Sequence, residues 1–199
     1  DKIVNCLLIF FLLVLTSCSS NQGRGYDVAN WKASKANLKI LCTTGMINDL
    51  VQQIGGENVS TIPLIIGDLD PHSYEPVKGD DELFHYADLV FYNGLGLEHG
   101  PSLAQLLSSE KNAYASGNII FDNFPQDIIW TSDGVVDPHI WMDMSLWARC
   151  IPVIVEQLSK ASPCNAEEFK FSGEYLLQDL QKKHNEYREL LQSIRRFKI

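Results

Sequence analysis

The sequence predicts an α/β fold, a (β/α) lobe with a mostly parallel four-stranded sheet followed by a long linking helix. One observation behind this is that short apolar segments alternate with amphipathic segments of helical spacing, a pattern typical of βαβ units. The other lies near the C-terminus. There, apolar residues recur at intervals of three and four over roughly thirty residues, which predicts one helix far longer than the usual dozen.

Four segments are predicted as strands because they are short, apolar and bounded by turn residues. They are residues 38–43, 59–66, 88–92 and 118–121. Helices are predicted between them at residues 46–54, from Asp80 onward, and at 101–108. Residues 145–160 are predicted as a further helix, with Pro152 in its first turns or at a kink. Asn165 and Glu168 then form the capping-box start of the long helix.

The N-terminal segment has the features of a signal peptide and is predicted to lie outside the fold. Residues 1–17 contain a cationic Lys2 and an apolar run that is too short to span a membrane comfortably. The run ends in Leu15-Thr16-Ser17-Cys18, which resembles the lipobox of bacterial lipoproteins. We therefore expect cleavage before Cys18 and lipidation of its sulfur. Residues 18–37 are expected to form a lipidated tether without a core of its own.

Charge and cysteine content exclude some classes of protein. The formal net charge of −9 argues against nucleic-acid binding, since there is no basic patch to displace counterions from phosphates. Of the five cysteines, Cys42, Cys150 and Cys164 remain once the N-terminal segment and Cys18 are set aside. An odd number does not make a disulfide framework, so no disulfide is predicted.

The tripeptide Asp-Pro-His occurs twice, ending at His72 and at His139, in a chain with five histidines. Proline fixes its own φ and favours extended geometry in the residue before it, so each histidine follows a stiffened loop. A ligand that is already positioned loses little entropy when it binds a metal. The first copy follows a predicted strand, and the second could reach the same sheet edge, where parallel sheets bind ligands. We interpret His72 and His139 as metal ligands. A turn with a surface histidine is the alternative for either copy alone.

Acidic residues beside the two histidines are candidates for supporting roles. Asp70 and Asp137 are expected to orient the loops or to hold a histidine ring through its second nitrogen. Glu75 is a candidate acceptor for a ligand, and a hydrogen bond to the loop backbone is the equal alternative. Of the remaining histidines, His85 is interpreted as a surface or packing residue. His99 follows Glu98 at a predicted helix start, where a ligand role is the less favoured interpretation. His184 is interpreted as a buried, hydrogen-bonded imidazole on the long helix.

Three segments of this chain resemble a known family. They are DPHSYE at residues 70–75, NGLGLE at 93–98 and DPHIWMD at 137–143. Together with the lipobox, they are similar to the substrate-binding lipoproteins of ABC importers for zinc, manganese and iron. This is the TroA/ZnuA-like group, and the sequences of these segments are most similar to its YtgA-like branch.

The resemblance implies two (β/α) lobes joined by one long helix, with a divalent zinc, manganese or iron ion held between the lobes. It places the first two ligands on His72 and His139, and the third and fourth on the second lobe. Residues 38–162 then form the N-terminal metal-binding lobe and 163–199 the inter-lobe helix. The second lobe is absent from this sequence, so we expect a truncated protein that binds metal poorly on its own.

The resemblance also implies a biological setting. The expected protein is a monomeric, lipid-anchored component of the cell envelope, facing the periplasm or the outside, that passes metal to an ABC permease. An adhesin-like surface lipoprotein is one alternative. A metallohydrolase is a weaker one, because the chain lacks the His-Glu-x-x-His, Gly-x-Ser-x-Gly and phosphate-loop motifs. We therefore predict no enzymatic activity.

Overall fold

Four parallel strands form the centre of the structure, a computed structural model that describes residues 24–36 and 38–192. They are β1 (Leu38–Cys42), β2 (Val59–Pro63), β3 (Leu89–Tyr92) and β4 (Ala113–Ala115). Their order across the sheet is β2-β1-β3-β4. Each neighbouring pair is parallel, with Leu38 opposite Val59 and Val90 opposite Ala113. The predicted α/β lobe with a parallel four-stranded sheet is confirmed.

The helices follow the strands in the expected alternation. Those of the first half are α1 (Arg24–Ala33), α2 (Gly45–Gly55), α3 (Asp80–Tyr86), α4 (Pro101–Ser109) and α5 (Asn118–Asn123). Those of the second half are α6 (Met144–Trp147), α7 (Ile151–Ala161) and α8 (Ala166–Gln192). Short 3₁₀ turns lie between several of these elements, including Ile140–Met142 and Ala148–Cys150.

Apolar side chains pack on both faces of the sheet, because alternate strand residues point to opposite sides. Ile40 and Phe91 belong to the cluster that includes residues of α2, α7 and α8. Leu41 and Val90 belong to the other cluster, with residues of α1, α3 and α4. A sheet covered on both faces leaves its edges and strand ends available for a binding site.

The fourth predicted strand was wrong. Residues 118–121 begin helix α5, and the fourth strand is Ala113–Ala115 instead. A short apolar run has the same pattern in a buried strand and in one turn of helix, so periodicity could not separate them. In the helix Ile120 is buried, whereas Phe121 is exposed.

Two other predicted elements differ from the structure. The helix predicted at 145–160 is divided into α6 and α7 by the turn Ala148–Cys150. Pro152 lies in the first turn of α7, where the missing N–H of proline costs no helical hydrogen bond. The second strand ends at Pro63, although Leu64 still donates its N–H to the carbonyl of Cys42.

The described part of the predicted tether is packed against the lobe. Helix α1 lies within residues 18–37, and its Trp31 is only 3% exposed. The Trp31 indole N–H donates to the carbonyl of Ser60 at 2.8 Å. Val28 packs on the same cluster, because residues three apart share one helical face. The predicted signal peptide and Cys18 lie outside the described residues.

The three cysteines of the described chain are free, as expected. Cys42 and Cys150 are buried, and Cys164 is exposed. Burial raises the pKa of the Cys150 thiol to about 12 and raises that of Cys42 further. These two thiols are therefore small apolar core residues at neutral pH.

Candidate metal centre

The two Asp-Pro-His segments form the same local turn. The backbone N–H of His72 donates to Asp70 Oδ1 at 3.0 Å, and that of His139 donates to Asp137 Oδ1 at 3.0 Å. An aspartate that accepts the N–H two residues on closes an Asx turn, and the proline between them restricts the backbone further. Each imidazole therefore extends from a fixed backbone.

Both turns lie at the carboxyl edge of the sheet. The first belongs to the segment that leaves β2, and Ile65 in that segment donates its N–H to the carbonyl of Thr43, the residue after β1. The second is tied to β3, because Asn93 directly after that strand donates from Nδ2 to the carbonyl of Pro138 at 3.0 Å. Topology thus brings together two loops that lie 67 residues apart in the chain.

The distance between the two imidazoles suits a shared cation. The Nε2 atoms of His72 and His139 are 3.2 Å apart, and their ring centroids are separated by 5.2 Å. Two nitrogens that each lie 2.0–2.1 Å from one tetrahedral zinc ion are about 3.3–3.4 Å apart. The observed separation is therefore close to that of two ligands on one ion.

Asp137 selects the tautomer of His139. Its Oδ1 lies 2.6 Å from Nδ1 of the ring, and a carboxylate oxygen there accepts a proton that Nδ1 carries. In the neutral ring the lone pair is then on Nε2, the atom that faces His72. Hydrogen bonds from the backbone N–H and then the ring of His139 lower the pKa of Asp137, so this carboxyl is ionised at neutral pH.

Asp70 and Glu75 fix the first loop through other contacts. Asp70 accepts a hydrogen bond from the Ser73 hydroxyl at 2.7 Å, and this bond, followed by that from the His72 N–H, lowers the pKa of Asp70. Glu75 Oε2 accepts the backbone N–H of Ser102 at 3.1 Å, in the first turn of α4. Glu75 thus ties the first loop to the backbone of α4, whereas the expected alternative was a hydrogen bond to the loop backbone.

A third imidazole lies beside His72. The ring of His99 is 5.2 Å from that of His72, centroid to centroid, and its Nδ1 lies 3.0 Å from the carbonyl of Gly96. Because a carbonyl can only accept, Nδ1 of His99 carries the proton. From the sequence, a ligand role for His99 is the less favoured interpretation. The available signal was its position shortly after the end of a predicted strand, the same location as the first Asp-Pro-His.

Trp141 also contacts the site. Its ring meets that of His139 edge-on at 5.3 Å between centroids, and it is half-buried. Over residues 24–36 and 38–192, no three or more His, Cys, Asp or Glu side chains are grouped so that they could hold a metal ion. The candidate site within the described lobe is therefore limited to the pair of imidazoles.

No membrane-spanning helix occurs in the described chain, where each helix is too short or too polar to cross a bilayer.

Known proteins with similar sequences and structures bind metals. Metal-binding protein YtgA from Chlamydia muridarum (strain MoPn / Nigg) is 37% identical over 168 residues, which cover 84% of this chain and 49% of that protein. Manganese-binding lipoprotein MntA from Bacillus subtilis (strain 168) is 32% identical over 176 residues, covering 87% of this chain and 54% of that protein. The crystal structure of Fe(III)-bound YtgA from Chlamydia trachomatis has a TM-score of 0.70 at 34% identity, covering 74% of this chain and 52% of that one.

The family match is longer than half of the chain. The family described as ZnuA, zinc-uptake complex component A, periplasmic, matches residues 40–198. The chain spans about half the length of the curated relatives that it matches. The family expected from the three sequence segments is confirmed, and this chain belongs to the ZnuA family of metal-binding periplasmic proteins.

Proposed function

We propose that this protein captures a divalent transition metal, zinc, manganese or iron, outside the cytoplasmic membrane as the binding component of an ABC importer. His72 and His139 supply two of the ligands through Nε2. The observation that carries the proposal is the 3.2 Å separation of these atoms at the carboxyl edge of the sheet. Membership of the family, whose description is a zinc-uptake component, supports the same cargo.

The remaining ligands are proposed to come from a second lobe. Transition metals in such sites take about four ligands or more, so two imidazoles leave positions to water and bind weakly. The relatives have about twice the length covered here, which leaves room for another lobe. In this proposal α8 belongs to the inter-lobe helix at residues 163–199.

Anchoring and delivery follow from the same proposal. Cys18 carries a lipid, the protein acts as a monomer at the cell envelope, and the loaded protein docks on an ABC permease. The lipobox supports the anchor, and a related protein is named a lipoprotein. Expression of the wild type and of Cys18→Ala in a bacterial host tests it, because the wild type alone is then expected to partition into the detergent phase.

Binding without turnover is part of the proposal. A screen of esterase, phosphatase and peptidase substrates with added zinc is expected to yield no activity that depends on His72. Turnover that is abolished in His72→Ala would favour a metallohydrolase instead.

Calorimetric titration of this chain with zinc and with manganese tests the proposal. We expect one weak site, with a Kd in the micromolar range or above, and its loss in His72→Ala and His139→Ala. His85→Ala is the matched control, since His85 is exposed on α3 and contacts Tyr86. Submicromolar one-to-one binding by the monomer would contradict the proposed ligand set. Binding that survives both substitutions would contradict the site itself.

A further inference from the structure

We infer that Asn93 and Glu98 are positioning residues that hold the His139 loop at the distance from His72 that a shared metal requires. This inference rests on the proposed function. Neither residue is a candidate ligand from the sequence, and their side-chain hydrogen bonds are to other groups than the imidazoles. They act through a buried chain of hydrogen bonds that ends at Pro138, the residue before His139.

The chain of hydrogen bonds begins at the buried carboxylate of Glu98. Glu98 is 6% exposed, and its Oε1 accepts the Thr43 hydroxyl at 2.7 Å and the Asn93 N–H at 2.8 Å. Its Oε2 accepts the N–H of Gly94 at 3.1 Å. A buried carboxylate is costly unless donors compensate for its lost hydration, and here three donors converge on it. Glu98 therefore joins the end of β1 to the end of β3.

Asn93 extends these hydrogen bonds to the loop that carries His139. Its side chain is fully buried, and Nδ2 donates to the carbonyl of Gly94 at 2.9 Å and to that of Pro138 at 3.0 Å. Both acceptors are carbonyls, so the amide nitrogen must face them. Asn93 Oδ1 is buried without a partner among the described residues. The contacts of this amide are thus made by its donors, one of which joins two residues 45 apart in the sequence.

The backbone between the two residues is bent by an unusual turn. Gly94, Leu95 and Gly96 have φ values of 75°, 54° and 81°. Leucine rarely adopts this left-handed region, and such conformations persist where the surroundings impose them. Glu98 accepts the Gly94 N–H and Asn93 donates to the Gly94 carbonyl, so both residues help to impose this turn, together with Asn118, which accepts the Leu95 N–H.

The same hydrogen bonds also reach the loop that carries His72. Thr43, whose hydroxyl binds Glu98, accepts through its carbonyl the N–H of Ile65 at 2.9 Å. Ile65 lies in the segment that leads to His72. One buried network therefore connects the two loops that carry the imidazoles. Two side chains that bind one metal must be held within about 0.5 Å of the required geometry, so the position of these loops matters.

Asn93→Leu tests the inference in the full chain, with Asn112→Leu as the matched control. Leucine has the branched shape of asparagine without its donors, and its larger size affects the variant and the control in the same direction. The Pro138 and Gly94 carbonyls retain other donors in Ile140 and Leu97. Asn112 is a suitable control because its Nδ2 also donates to two carbonyls, those of Ala87 and Asp88. Amide hydrogen exchange at Ile140 and Met142, zinc titration and urea unfolding are measured on each variant.

In Asn93→Leu we expect exchange at Ile140 and Met142 to become about tenfold faster and zinc binding about tenfold weaker. Asn112→Leu, at a partly buried position, is expected to lose some global stability while both quantities stay unchanged. If Asn93→Leu does not fold, Glu98→Gln replaces it. Glutamine keeps one acceptor oxygen, but its amide nitrogen would face the Gly94 N–H, so two donors would meet and that hydrogen bond would be lost.

Equal exchange and equal zinc affinity in the Asn93 and Asn112 variants would overturn the inference. Local acceleration in a protein whose wild type binds no zinc would support the positioning of the loop and overturn the proposed function. Zinc affinity that falls only in proportion to global stability would make the two residues merely structural, which also overturns the inference.

Discussion

Each imidazole of the pair is supported by a different neighbour. Asp137 accepts a hydrogen bond from the ring of His139, whereas Asp70 accepts from the backbone of His72 and from Ser73. A carboxylate that accepts from the second ring nitrogen sets the tautomer and raises the basicity of the ligand nitrogen. The two Asp-Pro-His copies therefore share a backbone turn but differ in how they prepare the ring.

This difference predicts unequal effects at the two aspartates. Asp137→Asn is expected to weaken zinc binding by about 10–100-fold, because a neutral amide no longer stabilises the metal-bound ring. Asp70→Asn is the matched control and is expected to change binding much less, since asparagine also closes an Asx turn. Titration calorimetry at neutral pH measures both. Equal losses would show that the ring contact of Asp137 has no special role.

Because Glu98 is buried, we expect its ionisation to make the stability of the fold depend on pH. Burial raises the pKa of Glu98, and the hydrogen bonds from Thr43, Asn93 and Gly94 only partly oppose this. A carboxyl whose folded pKa is above its unfolded pKa binds protons more tightly when folded, so its ionisation destabilises the fold as pH rises between the two values. Above the folded pKa the penalty is constant.

Urea unfolding of the wild type and of Glu98→Gln over a range of pH checks this expectation. The stability of the wild type relative to that of the variant should fall as pH rises from the ordinary glutamate range (about 4.3) through the raised folded value, then level off. A relative stability that instead rises with pH over this interval would mean that the hydrogen bonds outweigh the burial of the carboxylate.

At the scale of elements, the sheet is covered on one side by closely packed helices α7 and α8. Gly173 of α8 is buried, and a Cβ there would overlap the side chain of Val155 and lie 3.4 Å from Cγ2 of Ile151. Valine is branched at Cβ and has little freedom to move aside. Glycine is therefore needed at this point for its small size.

Gly173→Leu is expected to lower the free energy of unfolding by about 1–3 kcal/mol through overpacking. Glu174→Leu is the control on the next residue of the helix, which is exposed, and its effect should stay within about 0.5 kcal/mol. Urea denaturation of both variants measures this difference. Similar free energies of unfolding for the two would mean that the helices separate at little cost.

At the scale of the whole molecule, α8 has two different halves. Its buried residues, Phe169, Gly173 and Leu176, all lie in the first half. Tyr187 and Leu191, in the second half, are 53% and 63% exposed. The lobe therefore covers only part of the helix, which agrees with the proposal that α8 belongs to a connection to another lobe.

Two leucines of this helix test the contrast. Leu176→Ala is expected to cost about 2–5 kcal/mol of unfolding free energy, because Leu176 is only 7% exposed in the core. Leu191→Ala, at an exposed position, should change it by less than about 0.5 kcal/mol. Urea unfolding of this chain measures both. A large loss at Leu191 would indicate that the second half of the helix is packed in solution, for example against a second copy.

The sequence alone was sufficient for features that depend on local chemistry and periodicity. The strand–helix alternation predicted the parallel sheet, the spacing of apolar residues predicted α8, and two Asp-Pro-His copies identified His72 and His139 as a pair. It failed where the local signal is ambiguous. Residues 118–121 have no periodicity that separates a strand from a helix. Trp31 lies in a polar segment of the sequence and was therefore not predicted to belong to the core, although it is buried.

Only the tertiary structure decided how these parts meet. The 3.2 Å between the two Nε2 atoms, the position of His99 beside His72, and the link from Asn93 to Pro138 all join residues distant in sequence. Such contacts depend on strand order and on how loops pack at the sheet edge, which local propensities do not encode. The sequence supplies the imidazoles, and folding determines the distance between them and the contacts that support them.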